Sequence, residues 1–200
     1  MFTGIIENTG TVEEIIQNGG NKSFMISSPI SAELKVDQSL SHNGVCLTVE
    51  ETGNGRHRVT AIAETLSKTN LGHWQPGSLI NLERCMQLNE RLDGHMVQGH
   101  VDCVAKCTQV LEKDGSWEYS FEFDPQFSPL IIEKGSVSVN GISLTCFNIQ
   151  EHAFTVAIIP YTYTNTNMHS LQSGSLVNIE FDVIGKYINR RKPVSNQEIL

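Results

Sequence analysis

One motif occurs twice in this chain and limits what it can fold into. Residues 41–49 read SHNGVCLTV, and residues 138–145 read SVNGISLT, with the two Asn-Gly pairs 97 positions apart. An Asn-Gly pair between apolar-rich segments indicates a tight hairpin, because both turn residues must accept positive φ. Each copy is therefore predicted to be two strands and a tight turn. The copies differ at one reactive position, where Cys46 is matched by Ser143.

The repetition extends along most of the chain. Three further pairs of segments match in the same order: 3–7 with 98–102, 62–70 with 159–167, and 77–83 with 174–180. A period this long lies outside the range of about 20–50 residues found in solenoid repeats. We therefore predict a duplicated small domain, with one copy at 1–94 and the other at 95–182, each of ordinary domain size.

Charge and composition exclude several classes of function. The net charge is −8, and only residues 186–192 form a basic stretch, so nucleic-acid binding is not expected. No apolar run approaches the roughly 20 residues that cross a bilayer, and the first residues do not resemble a signal peptide. Five cysteines are an odd number. These features favour free thiols and a cytoplasmic location without membrane contact.

Most of the chain is predicted to form strands. Residues 79–83, 117–123 and 154–158 alternate apolar and polar side chains, and turn residues cluster at 19–21, 53–55 and 113–115. This pattern is typical of short antiparallel strands in a small closed barrel or sandwich, one in each half. Short helices are expected at 31–34, 65–70, 128–134 and 163–167.

The end of the chain changes to a helical period. Apolar residues at 183, 184, 187 and 188 form one stripe, so residues 183–192 are predicted to be a helix that stops before Pro193, followed by a tail at 193–200. A single helix of this length is marginal in water and needs a partner for its apolar face. A neighbouring subunit and the chain's own barrel are equally good candidates.

Four sequence motifs, taken together and in order, resemble one known family. The segments MFTGIIE at 1–7, NGVCLTV at 43–49, GHMVQGHVD at 94–102 and NGISLT at 140–145 are similar to those of riboflavin synthases built from a duplicated lumazine-binding domain. The resemblance covers residues 1 to about 190. It implies an all-β fold of two tandem six-stranded antiparallel Greek-key barrels, followed by a C-terminal α-helix that joins three subunits.

The resemblance also implies a reaction that needs no cofactor. Two molecules of 6,7-dimethyl-8-ribityllumazine exchange a four-carbon unit and give riboflavin and 5-amino-6-(ribitylamino)uracil. One lumazine acts as a carbon acid at its C7 methyl group and the other as an electrophile, so the protein's main task is to hold two rings face to face. Active sites between subunits of a homotrimer follow from the resemblance, and lumazine synthase is a candidate partner.

The expected substrate-binding residues lie in the repeated motifs. For the first copy they are Gly4, Ile5, Ile6, Ser41, Val45, Cys46, Leu47, Thr48, Ala61, Ile62, Ala63, Glu64 and Thr65. For the second copy they are Gly99, His100, Val101, Lys134, Ile142, Ser143, Leu144, Thr145, Ile159, Pro160, Tyr161 and Thr162. Glycines let flat rings approach the backbone, and polar side chains, Ser41 and Glu64 in one copy and Lys134 and Tyr161 in the other, suit a ribityl chain.

Four residues are candidates for catalysis: Ser143, His100, Asp182 and Cys46. Three of them have a structural alternative: Cys46 as a small buried side chain, Ser143 as a partner of a backbone group, and Asp182 as a helix N-cap. The resemblance instead pairs Asp182 with Ser143. His100 replaces the Ile5 of the first copy, and the resemblance implies that it is either a proton shuttle or a hydrogen-bonding residue of the pocket. We expect Ser143, His100 and Asp182 to serve one substrate, and Cys46 and Thr48 the other.

A metal site near the two histidines is an alternative. His95 and His100 precede Asp102, Cys103 and Cys107, but this spacing fits no common zinc pattern, and on a regular strand the two histidines would face opposite sides. No metal is expected, and His95 is interpreted as a structural residue. The chain departs from many relatives at Tyr161 and Cys103, which puts details of the pocket in doubt.

Two other classes of function compete with the enzyme. One is a non-catalytic lumazine or flavin carrier of the same fold, like the antenna proteins of luminous bacteria. The other is a tandem-barrel interaction protein without a ligand. The reactive residues at matching places in the two copies favour the enzyme.

Overall fold

A computed structural model describes residues 1–190 and contains two closed six-stranded barrels. The strands of the first barrel are β1 (Asn8–Asn18), β2 (Asn21–Ser27), β3 (Ser39–His42), β4 (Val45–Gly53), β5 (Arg56–Ala61) and β6 (Leu79–Arg84). Those of the second are β7 (Cys103–Lys113), β8 (Ser116–Glu122), β9 (Ser136–Val139), β10 (Ile142–Phe147), β11 (Ala153–Ile158) and β12 (Leu176–Phe181). The helices are α1 (Ala63–Lys68), α2 (Pro160–Asn165) and α3 (Val183–Arg190).

The two barrels share one topology. Every neighbouring pair of strands is antiparallel, and the first barrel closes in the order β1-β2-β5-β4-β3-β6. The second repeats this order as β7-β8-β11-β10-β9-β12. The predicted pair of tandem antiparallel barrels with a C-terminal helix is therefore confirmed. The boundary predicted between residues 94 and 95 falls in the segment between β6 and β7 and stays a prediction, and residues 191–200, with the helix end and tail expected there, lie outside the described part.

Side chains fill the inside of both barrels. Phe24, Leu40 and Leu82 are completely buried in the first, and Tyr119 and Phe121 in the second. A six-stranded barrel is too narrow to hold a ligand in addition to its own core. Any binding site must therefore lie on the outer walls.

Prolines shift the short helices towards the N-terminus relative to the sequence prediction. Pro29 and Pro125 open 3-10 helices at Pro29–Glu33 and Pro125–Leu130, and Pro160 opens α2. Proline suits a first helical position because its fixed φ is helical and its missing N–H is not needed there. The segments predicted at 128–134 and 163–167 thus begin three residues earlier than expected.

The first barrel contains a buried polar chain that the second lacks. His42 Nδ1 lies 3.0 Å from the Leu40 carbonyl, His42 Nε2 lies 3.0 Å from His57 Nε2, and His57 Nδ1 lies 2.8 Å from Ser31 Oγ. Because the carbonyl can only accept, His42 donates from Nδ1, His57 donates to His42, and Ser31 donates to His57. At the repeat positions the second barrel has Val139 and Phe154.

The Asn-Gly turns join the barrels. Asn43 and Gly44 have φ of 48° and 78°, as the hairpin prediction requires, and a Cβ on Gly44 would lie 2.8 Å from the Gly141 nitrogen. Around this contact, Asn81 donates to the Asn140 carbonyl at 3.0 Å, and Asn178 donates to the Asn43 carbonyl at 2.9 Å. The reciprocal contacts relate the two barrels by an approximate twofold axis.

The segments that precede the two barrels cross to the opposite barrel. Phe2 and Val97 exchange backbone hydrogen bonds of 2.7 and 3.1 Å. Beyond this pair, Ile6 packs against the core of the second barrel and Val101 against the core of the first. Each barrel is therefore completed by a piece of the other copy.

Helix α3 lies on the second barrel by one edge only. Val183 is buried, and Lys186 forms an ion pair of 2.6 Å with Asp102. Ile184, Tyr187 and Ile188 are 53, 71 and 65% exposed. The predicted apolar stripe is thus split, with one residue docked on its own barrel and the rest free for another contact. No helix in the described part of the chain is long and apolar enough to cross a membrane.

Candidate active sites

Matching strands present the repeated motif on the outer walls. Along β4, Val45, Leu47 and Val49 are buried in the core, while Cys46 and Thr48 point outward. This alternation is the period of two in a strand with one buried face. The same positions of β10 carry Ser143 and Thr145 on the outside. The repeat therefore builds two equivalent outer sites, one centred on a thiol and one on a hydroxyl.

The first site surrounds Cys46. Its N–H donates to the Gly99 carbonyl at 2.9 Å, and a Cβ on Gly99 would lie only 2.5 Å from the Cys46 Cβ. A cavity of about 180 Å³ opens here, lined by Val45, Cys46, Glu64, Thr65, Lys68, Thr69, Gly99, His100 and Val101. The structure therefore places His100 beside Cys46, and not beside Ser143 as the sequence grouping expected.

The second site surrounds Ser143. Its N–H donates to the Gly4 carbonyl at 2.8 Å, and a Cβ on Gly4 would lie 2.6 Å from the Ser143 Cβ. The segment Gly4–Ile6 thus lies against the second barrel, although it belongs to the first copy of the repeat. The physical reason is the crossing of the two entry segments, which a one-dimensional repeat cannot show.

His95 is the partner of Ser143. Its Nδ1 lies 2.6 Å from Ser143 Oγ, and the ring is only 8% exposed. Its Nε2 is buried and has no hydrogen-bond partner among the described residues. Burial lowers the pKa of His95, and the charge of Asp182 partly counteracts this. A neutral imidazole can therefore accept the Ser143 proton, a role that goes beyond the structural one inferred from sequence.

Asp182 caps helix α3. Its Oδ1 accepts from the Ile184 N–H at 3.0 Å, as the N-cap interpretation predicted. The Ser143 hydroxyl contacts His95, and no hydrogen bond joins Asp182 to Ser143 within residues 1–190. The charge of Asp182 favours a higher pKa of His95, which partly offsets the effect of burial.

Cys46 is held as a thiol. Burial raises the pKa of the Cys46 thiol, and a hydrogen bond with Ser39 lowers it to a smaller extent. Since the thiolate is the nucleophilic form, this environment does not favour nucleophilic catalysis. Cys46 is suited instead to a weakly polar wall beside a bound ring.

Several residues of the expected binding set are buried. Leu47 and Ala61 belong to the first core, and Ser41 is fully buried with its hydroxyl towards Gly141. The expectation that the Ser41 side chain holds a ribityl chain was therefore wrong, because that hydroxyl faces the contact between the barrels. Lys134 lies on the outside of the second barrel. Its Nζ is 5.1 Å from the centre of the ring of Phe147, which belongs to β10, the strand that carries Ser143.

Apolar side chains at the rims of both sites are open. Ile62 is 53% exposed beside the first site's helix α1, and Ile159 and Tyr161 are 62 and 75% exposed at the start of α2. Ile5, next to Gly4, is 47% exposed. These open apolar side chains are suited to contact with flat apolar rings.

Two buried carboxylates were missed as parts of the sites. Glu83 and Glu180 end the matching blocks 77–83 and 174–180, and both are almost fully buried. They bind the backbone of the two crossing segments. The signal that would have found them is an acid kept at the same place in two apolar strands, where an unpaired charge is costly.

The comparisons with known proteins agree with this architecture. The family model described as "Lumazine binding domain" matches residues 3–85 and again residues 98–182. Riboflavin synthases of Bacillus subtilis and Bacillus amyloliquefaciens are 40 and 38% identical, each over 95% of this chain and 89% of theirs. The riboflavin synthase of Mycobacterium tuberculosis is 39% identical over 95% of this chain and 97% of its own.

Solved structures share the fold. LumP complexed with riboflavin superposes with a TM-score of 0.85 at 21% identity, covering 90% of this chain and 99% of LumP. LumP complexed with 6,7-dimethyl-8-(1'-D-ribityl) lumazine gives a TM-score of 0.83 at 20% identity with the same coverage. Duplicated lumazine-binding barrels are thus the class that the fold defines. Within this class, the chain belongs to the riboflavin synthase family.

Proposed function

We propose that this protein is a riboflavin synthase that converts two molecules of 6,7-dimethyl-8-ribityllumazine into riboflavin and 5-amino-6-(ribitylamino)uracil. The observation that carries the proposal is the pair of equivalent outer sites. In each site, a glycine carbonyl from the other copy accepts a hydrogen bond from the backbone N–H of Cys46 or Ser143. Two copies of one pocket suit a reaction between two copies of one substrate. Holding both rings in reactive geometry removes much of the entropic barrier of a bimolecular step.

The two sites differ in their reactive side chains, as a reaction between a nucleophilic and an electrophilic lumazine requires. The second site has a hydroxyl, a neutral imidazole and a nearby carboxylate in Ser143, His95 and Asp182. This group takes the proton that leaves the C7 methyl carbon, and the proton passes to a nitrogen of the departing pyrimidine when its bond to carbon breaks. The first site, with the Cys46 thiol and His100, holds the second lumazine as the electrophile that gives up its four-carbon unit. The reaction needs no cofactor, because the electron-poor substrate supplies the activation.

The active site lies between two subunits in this proposal. The apolar rims at Ile5, Ile62, Ile159 and Tyr161 are open in the single chain, and the face of α3 formed by Ile184, Tyr187 and Ile188 is also open. A trimer that pairs the first site of one subunit with the second site of its neighbour would cover both sets. It would also place the two substrates face to face without moving the barrels of one chain.

Turnover of the lumazine tests the proposed function. Purified protein is incubated with 6,7-dimethyl-8-ribityllumazine alone, and flavin absorbance is followed while the pyrimidine product is measured by chromatography. Equimolar formation of flavin and pyrimidine, with two lumazines consumed for each, is the expected result. Tight binding of the lumazine without any flavin would identify a carrier and overturn the enzymatic proposal.

A further inference from the structure

We propose that Glu83 and Glu180 are crossed positioning residues: each buried carboxylate holds the wall of the site that lies on the other barrel. The proposal deepens the proposed function and rests on it, because the walls in question belong to the two substrate sites. In this proposal Glu83 on β6 and Glu180 on β12 each affect the site on the opposite barrel.

Glu180 holds the wall of the first site. It lies on β12 of the second barrel, 2% exposed, and accepts backbone N–H groups from Gln98 at 2.6 Å, Gly99 at 2.9 Å and His100 at 2.8 Å. The same turn directs the Gly99 carbonyl to the N–H of Cys46. The chain of contacts therefore runs from the second barrel to the reactive residue of the first.

Glu83 repeats this arrangement in the opposite direction. It lies on β6 of the first barrel, 3% exposed, and accepts from the Thr3 N–H at 2.6 Å, the Thr3 hydroxyl at 2.7 Å and the Gly4 N–H at 3.0 Å. The Gly4 carbonyl accepts from the N–H of Ser143. The same arrangement in both copies of the repeat, on segments that differ in sequence, argues against a chance contact.

The contacts require an acceptor that carries no hydrogen. All three partners of each carboxylate are donors, and an ionised carboxylate is acceptor-only, with room for several bonds on its two oxygens. A glutamine of the same shape would turn an N–H₂ group towards backbone N–H groups and leave at least one of them without an acceptor. Gly4 (φ 77°) and Gly99 (φ 81°) adopt a backbone conformation that glycine allows without steric cost, so each turn can present consecutive N–H groups to its carboxylate.

Hydrogen exchange tests the crossing directly. The variants Glu180→Gln and Glu83→Gln are compared with wild type and with Glu14→Gln, an exposed carboxylate on β1 that serves as a charge-matched control. Mass spectrometry with overlapping peptides reports the amides of Cys46 and Ser143. Glu180→Gln should accelerate exchange at Cys46 by roughly tenfold, as expected when one buried bond is left unmade, and leave Ser143 unchanged. Glu83→Gln should do the reverse.

Each variant is the folding control of the other. If Glu180→Gln loosens the whole protein, both amides exchange faster, and Glu180→Asp, which keeps the charge but shortens the side chain, replaces it. Faster exchange only at the Cys46 or Ser143 amide of the substituted residue's own barrel overturns the proposal. Exchange that is faster to the same degree at both amides in every variant also overturns it. Because the measurement uses no ligand, it is independent of turnover. A protein that forms flavin but shows no crossed exchange loses only this proposal, and one that shows crossed exchange without forming flavin loses only the proposed function.

Discussion

At the scale of single residues, the proposed proton transfer depends on the contact between the Ser143 hydroxyl and the His95 imidazole. Ser143→Ala removes the hydroxyl but keeps the backbone contact to Gly4. We expect kcat to fall by about 100-fold, the usual scale for losing proton transfer, with KM little changed. Steady-state assays of flavin formation measure both, with Ser116→Ala at the start of β8 as a control. Near wild-type turnover would remove Ser143 from the mechanism.

His95 makes a separate prediction about pH. Burial lowers the pKa of the His95 imidazole below its usual value of 6.5. The imidazole therefore stays neutral, and able to accept a proton, until the pH falls below that lowered pKa. The rate should therefore have an acid limb below pH 6.5 that is absent in His95→Gln, whose residual rate is low but flat in this range. The measurement is kcat against pH for both proteins. An acid limb that persists in the variant would assign it to another group.

The buried pair of His42 and His57 predicts acid sensitivity of the first barrel. Burial lowers the pKa of both, to about 4 for His57 against 6.5 when unfolded, so the unfolded chain binds more protons as the pH falls. The free energy of unfolding should therefore decrease as the pH falls from 6.5 towards 4, by roughly 3 kcal/mol for His57 alone. Urea unfolding at several pH values measures this.

The second barrel supplies the control for this pair. Replacing His42 by Val and His57 by Phe copies the residues at positions 139 and 154 and removes both titrating groups. The double variant should lose most of the decrease between pH 6.5 and 4. If its stability falls with pH as steeply as that of wild type, the acid sensitivity originates elsewhere.

Sequence reasoning found reactive residues where the two copies could be compared, and failed where they could not. Cys46 and Ser143 occupy equivalent strands, as their repeat positions predicted. His95 precedes the first matching block at 98–102 and has no counterpart, so nothing in the sequence tied it to Ser143, which is 48 positions away.

At the scale of elements, the Asn-Gly pairs and the period-two segments were enough to place the hairpins and strands. The sequence could not show the crossing of residues 2–6 and 97–101, because it depends on backbone pairing between Phe2 and Val97. That pairing carries no side-chain pattern. The grouping of site residues by copy failed for this reason, although the repeat itself was correct.

Helix α3 carries the prediction that belongs to this scale. Replacing Ile184, Tyr187 and Ile188 by serine keeps the buried Val183 and the Lys186–Asp102 ion pair, and removes only the exposed apolar face. In the proposed trimer this face is the subunit contact, so light scattering should show smaller species. Truncation after Asp182 should give the same result. A trimer of unchanged mass in both variants would show that the barrels associate without the helix.

At the scale of the whole molecule, the proposed intersubunit site predicts complementation. One variant, Thr48→Tyr, blocks the outer wall of the first site, and another, Ser143→Ala, disables the second. After subunit exchange, some interfaces of a mixed trimer pair two intact sites, so activity should exceed that of either parent. Mass spectrometry confirms the exchange. Exchange without any recovery would place the complete active site within one chain.

The crossing of the entry segments has a consequence for how such a chain can arise. A protein made from one copy alone would lack the strip of backbone that closes its own site, since Gly99 closes the site at Cys46 and Gly4 the site at Ser143. It would obtain that strip by pairing with an identical molecule about a twofold axis, the commonest symmetry of dimers. Fusion of two genes would then make the pairing permanent. After such a fusion each half can change separately, which would account for a thiol at Cys46 and a hydroxyl at the equivalent Ser143.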